Sequence, residues 1–145
     1  MKQNEKDSIL LEVGFRLLIP LIVVYAFYVL LHGEYSPGGG FQAGVLLGVA
    51  VILPRLLKSG KRLLTGFQAI MLAGCGTFFY LLIGLIPMFF GGKFLQYGVM
   101  PFFADPVENH PLGILLIEVG VTICVMATVV SIFDSLGKKK EDDTI

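Results

Sequence analysis

Four apolar stretches divide this chain, at about 9–31, 38–57, 64–90 and 112–133. Crossing a bilayer takes about 20 mostly apolar residues, and each stretch meets that length. Hydrocarbon offers no partner for backbone N–H and C=O groups, so each segment must satisfy its own by coiling into a helix. The expected fold is an all-α membrane protein with four transmembrane helices. Residues 1–137 form one transmembrane domain and residues 138–145 a charged tail. Composition agrees: 55% of residues are hydrophobic and mean hydropathy is +0.81. Only 15% are charged, against about 25% in an ordinary globular domain.

The basic residues orient these helices. Lys2, Lys6 and Arg16 belong to the N-terminal side of the first stretch, and Arg55, Lys58, Lys61 and Arg62 to the connection between the second and third. Lys138, Lys139 and Lys140 follow the fourth. With four crossings all ten fall on one side, and only Lys93 on the other. Lys/Arg-rich loops stay in the cytoplasm, so both termini are expected there. Formal net charge is zero, which gives no footprint for nucleic acid. Cys75 and Cys124 lie within apolar runs without metal-ligand spacing, and are expected to pack as small hydrophobes. The first stretch exceeds a signal-peptide core and no small-x-small site follows it, so it is read as a retained crossing.

The stretch Ser36-Pro37-Gly38-Gly39-Gly40-Phe41-Gln42-Ala43-Gly44-Val45-Leu46-Leu47-Gly48 begins as a turn and becomes a helix. Pro37 suits a turn or a first helical position. Gly40, Gly44 and Gly48 recur every four residues on one face, where they let another backbone approach closely. No Gly-Lys-Ser/Thr follows, which excludes a phosphate loop. No strand precedes and no acidic residue follows at the right distance, which excludes a dinucleotide fingerprint.

The polar residues inside apolar stretches are few. Glu12 and Arg16 stand four apart near the first helix's cytoplasmic end and can pair there. Pro20 is tolerable as a kink. His32 closes that helix, either as a titratable relay or as a partner of the last carbonyls. Gln42, one turn into the second helix, needs protein or a cavity beside it. The third stretch carries Gln68, Gly74, Cys75, Gly76, Thr77 and Gly84, and is long enough to tilt or to end early at Pro87. The loop at about 91–111 holds Phe94, Tyr97, Met100, Phe102 and Phe103, and is expected on the membrane interface or against a neighbouring protein. Glu34, Asp105, Glu108 and His110 add an acidic, titratable outer face, open between cation attraction and ordinary solvated charge.

Glu118 is the acidic residue deep in the fourth stretch, about 9 Å from its start at 1.5 Å per residue. Thr122 follows one turn on, on the same face. Gly113, Gly120, Cys124, Ala127 and Ser131 fall largely elsewhere, Gly120 being about 200° round from Glu118. An intramembrane carboxylate faces protein or a water-filled path. The fourth helix therefore has an acidic face and a small-residue face, more than four helices alone readily bury.

The stretch His32-x-x-x-x-Pro37-Gly38-Gly39-Gly40-Phe41-Gln42-Ala43-Gly44 closely resembles the opening signature of the B-type component of the multisubunit Na+/H+ antiporters, the Mrp or MnhB family. The run Ile117-Glu118-Val119-Gly120-Val121 resembles that family's last crossing. The resemblance covers essentially the whole chain. It implies a component of a hetero-oligomeric complex in the bacterial cytoplasmic membrane, with partners of A, C, D, E, F and G type. Such complexes export Na+ in exchange for protons, supporting alkali and salt tolerance, and are related in part to the membrane arm of respiratory complex I and to membrane-bound hydrogenases. The large A-type and D-type components resemble the proton-pumping parts. The B-type component is a small companion required for assembly and activity, with a contribution to the sodium path open.

The residues alone reach part of this. One embedded carboxylate, without an embedded lysine or histidine, is too little for a self-contained proton pump, since relays use chains of ionisable groups. That favours an accessory or ion-path component, not an enzyme, with no cofactor and no firmly assigned metal; the resemblance adds a transient Na+ near Glu118. Two other readings stand beside it. One is a dimeric four-span exporter of cationic drugs, whose glutamate lies in the first span among aromatics; here Glu12 sits by Arg16, and tryptophan is absent. The other is a purely structural scaffold. In the ion-path reading, Glu118, Thr122, Gln42 and His32 are the candidate residues. Pro37, Gly38, Gly39, Gly40, Phe41, Gly44 and Gly48 lock the second helix against the first or against a partner, with Phe41 pointing into a neighbour.

Overall fold

The computed structural model describes residues 2–33, 38–56, 64–102 and 106–142. Four helices follow in order: α1 (Lys2–Leu31), α2 (Gly40–Leu56), α3 (Gly66–Phe89) and α4 (Pro106–Asp142), with a single 3-10 turn at Tyr97–Val99 before α4. The all-α expectation holds. The segments Val13–Leu31, Gly66–Phe89 and Asn109–Gly137 are long and apolar enough to cross a membrane. The apolar α2 is shorter. Its 17 residues rise about 25 Å at 1.5 Å each, against a hydrocarbon core of about 30 Å. Gly38 and Gly39 stay outside the helix, and Arg55 lies in its last turn.

The ends have local causes. Thr65 caps α3: its hydroxyl accepts from the Gln68 N–H, and the Gln68 side chain accepts from the Thr65 N–H. This reciprocal pair satisfies two otherwise orphaned donors. Pro87 does not end α3, which runs on to Phe89. The first part of the charged tail, from Lys138, continues α4 to Asp142. Lysine and glutamate are good helix formers. Likewise α1 begins at Lys2, well before the apolar run.

The helices pack as a row, α1 on α2, α2 on α4, and α4 on α3. The core is correspondingly thin and made mostly of small side chains, Ala26 and Val29 of α1, Ala43 and Ala50 of α2, Ala69 of α3, Ala127 and Val130 of α4, with Leu30 and Ile83 beside them. Large apolar residues point outward from every helix, among them Leu17, Phe41, Phe67, Ile70 and Ile132. Such a surface suits lipid or partner proteins and not water.

The described part of the aromatic loop folds back on its own helices. Phe94 closes over Gly84, Tyr97 over Gly113, and Met100 is buried. Tyr97 also meets His110 edge to face, with ring centres 6.0 Å apart. Leu95 takes a left-handed φ of 64°, rare for a branched residue, while its N–H bonds the Gly84 carbonyl at 3.1 Å. The reason is space: Gly84 and Gly113 leave hollows on α3 and α4 that the loop's rings fill. Burial, with Tyr80 nearby, pushes the Tyr97 phenol above its ordinary value. Phe102 remains exposed. Of the acidic positions expected here, Glu34 and Asp105 lie outside the described residues, as does the side chain of Glu108.

Candidate functional site: the seam between the second and fourth helices

The glycine stripe of α2 meets α4, not α1. A Cβ added at Gly40 would strike the backbone carbonyl of Glu118 and come within 2.9 Å of its Cα. At Gly44 it would lie 2.8 Å from the Thr122 carbonyl oxygen and from Val125 Cβ. At Gly48 it would lie 3.1 Å from Val129 Cβ. Glycine is therefore required at Gly40 and Gly44 by the closeness of the two backbones, while at Gly48 an added Cβ fits once its neighbour gives by a few tenths of an ångström. Thr122 is 4% exposed, and its hydroxyl is shared between two acceptors: the Glu118 carbonyl on its own helix at 2.7 Å and the Gly40 carbonyl across the seam at 3.0 Å. Thr122 thus binds backbone rather than the Glu118 carboxylate.

At one end of this seam the Glu118 carboxylate lies against two more glycines. A Cβ at Gly33, just past α1, would strike both carboxylate oxygens, and one at Gly39 would come within 2.6 Å of Oε1. The carboxylate is thus seated against bare backbone from the α1 end and the α2 start. Beside it opens a cleft of about 280 Å³ between α1 and α4, lined by Leu30, Leu31, Pro111, Leu112, Ile114, Leu115 and Glu118. Glu118 is half-buried on this cleft. Apart from Glu118, the walls of this cleft are aliphatic side chains and Pro111.

The opposite face of α4 carries the small residues, as expected. A Cβ at Gly76 of α3 would fall 2.7 Å from the Cys124 N and 2.8 Å from the Gly120 carbonyl oxygen, and one at Gly120 would lie 3.1 Å from the Gly76 oxygen. Cys124 Sγ and Thr77 Oγ1 lie 3.3 Å apart. Cys124 packs as anticipated, whereas Cys75 is exposed on the outer side of α3.

The other candidates are dispersed. His32 is exposed, stacks on Tyr28 with ring centres 4.2 Å apart, and holds the Tyr28 carbonyl through Nδ1 at 3.0 Å. A carbonyl only accepts, so Nδ1 carries the proton, the helix-end role foreseen for it. Gln42 is exposed, with its Oε1 turned back over Gly38. Neither lines the cleft. Phe41 is 65% exposed and free to enter a neighbour. Pro37 lies outside the described residues, and so does the Glu12 side chain of the expected Glu12–Arg16 pair. Among the described residues, no group of three His, Cys, Asp or Glu could hold a metal ion.

Sequence reasoning passed over two features. Asn109 is 2% exposed at the start of the α4 apolar segment. Arg55 and Asp134 form a buried ion pair at the other end of the α2–α4 seam. By sequence each member of that pair is an ordinary charge flanking an apolar run. The available signal was that both lie at the same end of helices whose glycine stripe demanded tight packing.

A row of apolar helices with lipid-like surfaces and a carboxylate seated in a helix seam defines a small integral membrane protein of several helices, suited to pack among partners. Residues 10–131 match the family model for the domain related to the MnhB subunit of Na+/H+ antiporter. The chain therefore belongs to the MnhB family. It is 28% identical over 141 residues to the B component of the Na(+)/H(+) antiporter of Bacillus subtilis strain 168, covering 89% of this chain and 97% of the relative. It is 28% identical over 144 residues to a Staphylococcus saprophyticus protein provisionally named antiporter subunit mnhB2, covering 94% and 96%. It is 30% identical over 141 residues to the like-named protein of Staphylococcus aureus strain Newman, again covering 94% and 96%.

Proposed function

We propose that this chain is an integral-membrane component of a multisubunit Na+/H+ antiporter, and that Glu118 lies on its cation path. Membership of the MnhB family supports the first half. The observation that carries the second is the seat of Glu118: a carboxylate against the backbone of Gly33 and Gly39, beside the α1–α4 cleft. The chain works as a transporter component and not as an enzyme. Both termini face the cytoplasm, following the ten-to-one distribution of Lys and Arg. Glu118, about 9 Å into its apolar run, then stands in the outer half of the membrane. The complex exports Na+ against inward protons. Partners of A, C, D, E, F and G type cover the apolar faces that the helix row leaves open.

In this reading the carboxylate exchanges Na+ and protons one at a time as they reach the cleft. Thr122 and the glycine stripe hold α2 against α4 so that the seat persists. Gln42 and His32 stand aside from the transfer. The test is Na+-dependent proton flux in everted vesicles carrying the complete complex with Glu118→Gln, beside native-gel measurement of assembly. An assembled complex with depressed flux is expected. Normal assembly with normal flux would overturn the ion-path role and leave a scaffold.

A further inference from the structure

At the end of the seam away from Glu118, Arg55 of α2 places Nη1 2.5 Å from Asp134 Oδ1 of α4. Its Nη2 donates to the Leu64 carbonyl at 2.9 Å, one residue before the Thr65 cap of α3. One side chain thus joins the last turn of α2, the residue before the α3 cap, and α4 at Asp134, eight residues before that helix ends. The pair is deeply buried, with the Arg55 and Asp134 side chains 7% and 8% exposed. Arg55 Nε and Asp134 Oδ2 are also buried and lack a partner among the described residues. Such a pair is a poor source of stability, because desolvation offsets the attraction. The best-attested reason for burying one is to specify register.

This seam needs a register device. Gly40, Gly44 and Gly48 bring the helices together but offer no side chains to interlock. In hydrocarbon, no hydrophobic force opposes sliding between such faces. Polar contacts anchor the seam at its ends: Thr122 to the Gly40 carbonyl, and Arg55 to Asp134. The anchors stand about 22 Å apart along α2 and about 18 Å along α4, at 1.5 Å per residue. Releasing the second would leave α2 free to pivot and slide about Thr122. Gly39, which forms part of the Glu118 seat, is continuous with the start of α2.

We propose that Arg55 and Asp134 are positioning residues for Glu118, setting the α2–α4 register that keeps its glycine seat closed. The proposal rests on the reading of Glu118 as part of the cation path. The test uses the complete complex in vesicles, with Cys75→Ala and Cys124→Ala as background. Gly48→Cys with Val129→Cys then reports register by oxidative cross-linking. The built Cβ of residue 48 lies 3.1 Å from that of Val129, and a disulfide needs about 3.5–4.5 Å, so a small relaxation suffices.

Arg55→Ala or Asp134→Ala should lower cross-linking severalfold and raise the Na+ concentration for half-maximal flux severalfold. The exchanged pair, Arg55→Asp with Asp134→Arg, should restore both. Unchanged cross-linking in the single variants would overturn the proposal, and so would an exchanged pair that stays defective. If the single variants do not assemble, the exchanged pair decides: assembly with the original Na+ dependence supports the proposal, and anything less overturns it. Weakened cross-linking with unaltered Na+ dependence would break the link to Glu118. Glu118→Gln in the same series separates the two readings. If its flux is normal, the ion-path reading has failed, and the register claim stands or falls on cross-linking alone.

Discussion

Gly44→Ala should loosen the α2–α4 seam, and the structure sets the scale. The new Cβ would fall 2.8 Å from both the Thr122 carbonyl oxygen and Val125 Cβ, where ordinary contact begins at 3.4 Å. The helices must part by about 0.6 Å, the difference of those two distances. A radial gap of about 0.5–1 Å forfeits a quarter to a half of each van der Waals well along the seam. Overpacking of this kind costs about 1–3 kcal/mol. That corresponds to about a 5- to 150-fold fall in the ratio of packed to unpacked seam. The assay is heat-dependent loss of the assembled complex in detergent, followed on native gels. Gly74→Ala is the matched control, since its Cβ would meet nothing within 4 Å. It should be neutral, or gain up to about 1 kcal/mol from helix propensity. If the two variants lose assembly at the same temperature, the glycine stripe does not hold the seam.

Two further outcomes follow from the same packing. Thr122→Val removes the hydroxyl shared by the Gly40 and Glu118 carbonyls, and interhelical hydrogen bonds in membranes average about 0.6 kcal/mol. It should lower the melting temperature of the complex less than Gly44→Ala does, as the same native-gel series would read. Gly76→Ala should cost about 1–3 kcal/mol at the α3–α4 seam, since its Cβ would meet Cys124 and Gly120 backbone atoms at 2.7 and 2.8 Å. A melting curve matching Gly74→Ala would refute that seam.

The helices and the two faces of α4 were legible because hydrocarbon enforces simple rules. A long apolar run must coil, and glycines spaced by four mark close approach. The same spacing could not name the partner of the stripe. Glycine lacks the side chain that would select a face, so the first helix or a partner was expected there, and chain geometry instead set the stripe on α4. Glu118 stood out because a carboxylate in an apolar run is conspicuous, but its seat did not, being made of backbone at Gly33 and Gly39. Gln42 and His32 were candidates by residue type, and only three-dimensional placement separated them from the cleft. Arg55 and Asp134 were obscured by their position. A charge just past an apolar run usually faces water, and burial at 7% and 8% exposure arises from the tertiary contact of the α2 end with α4. The aromatic loop was similarly opaque, because the hollows at Gly84 and Gly113 that receive its rings belong to distant parts of the chain.

The central claim is that the Glu118 carboxylate, held at the glycine seat, handles the transported cation. The most direct measurement is the Na+ concentration giving half-maximal proton flux in vesicles carrying Glu118→Asp, with assembly confirmed in the same membranes. Aspartate keeps the charge but is one methylene shorter, so it withdraws the carboxylate from Gly33 and Gly39. The account predicts an assembled complex that still exchanges ions with a raised half-saturating Na+ concentration. An assembled complex with unchanged Na+ dependence would contradict it.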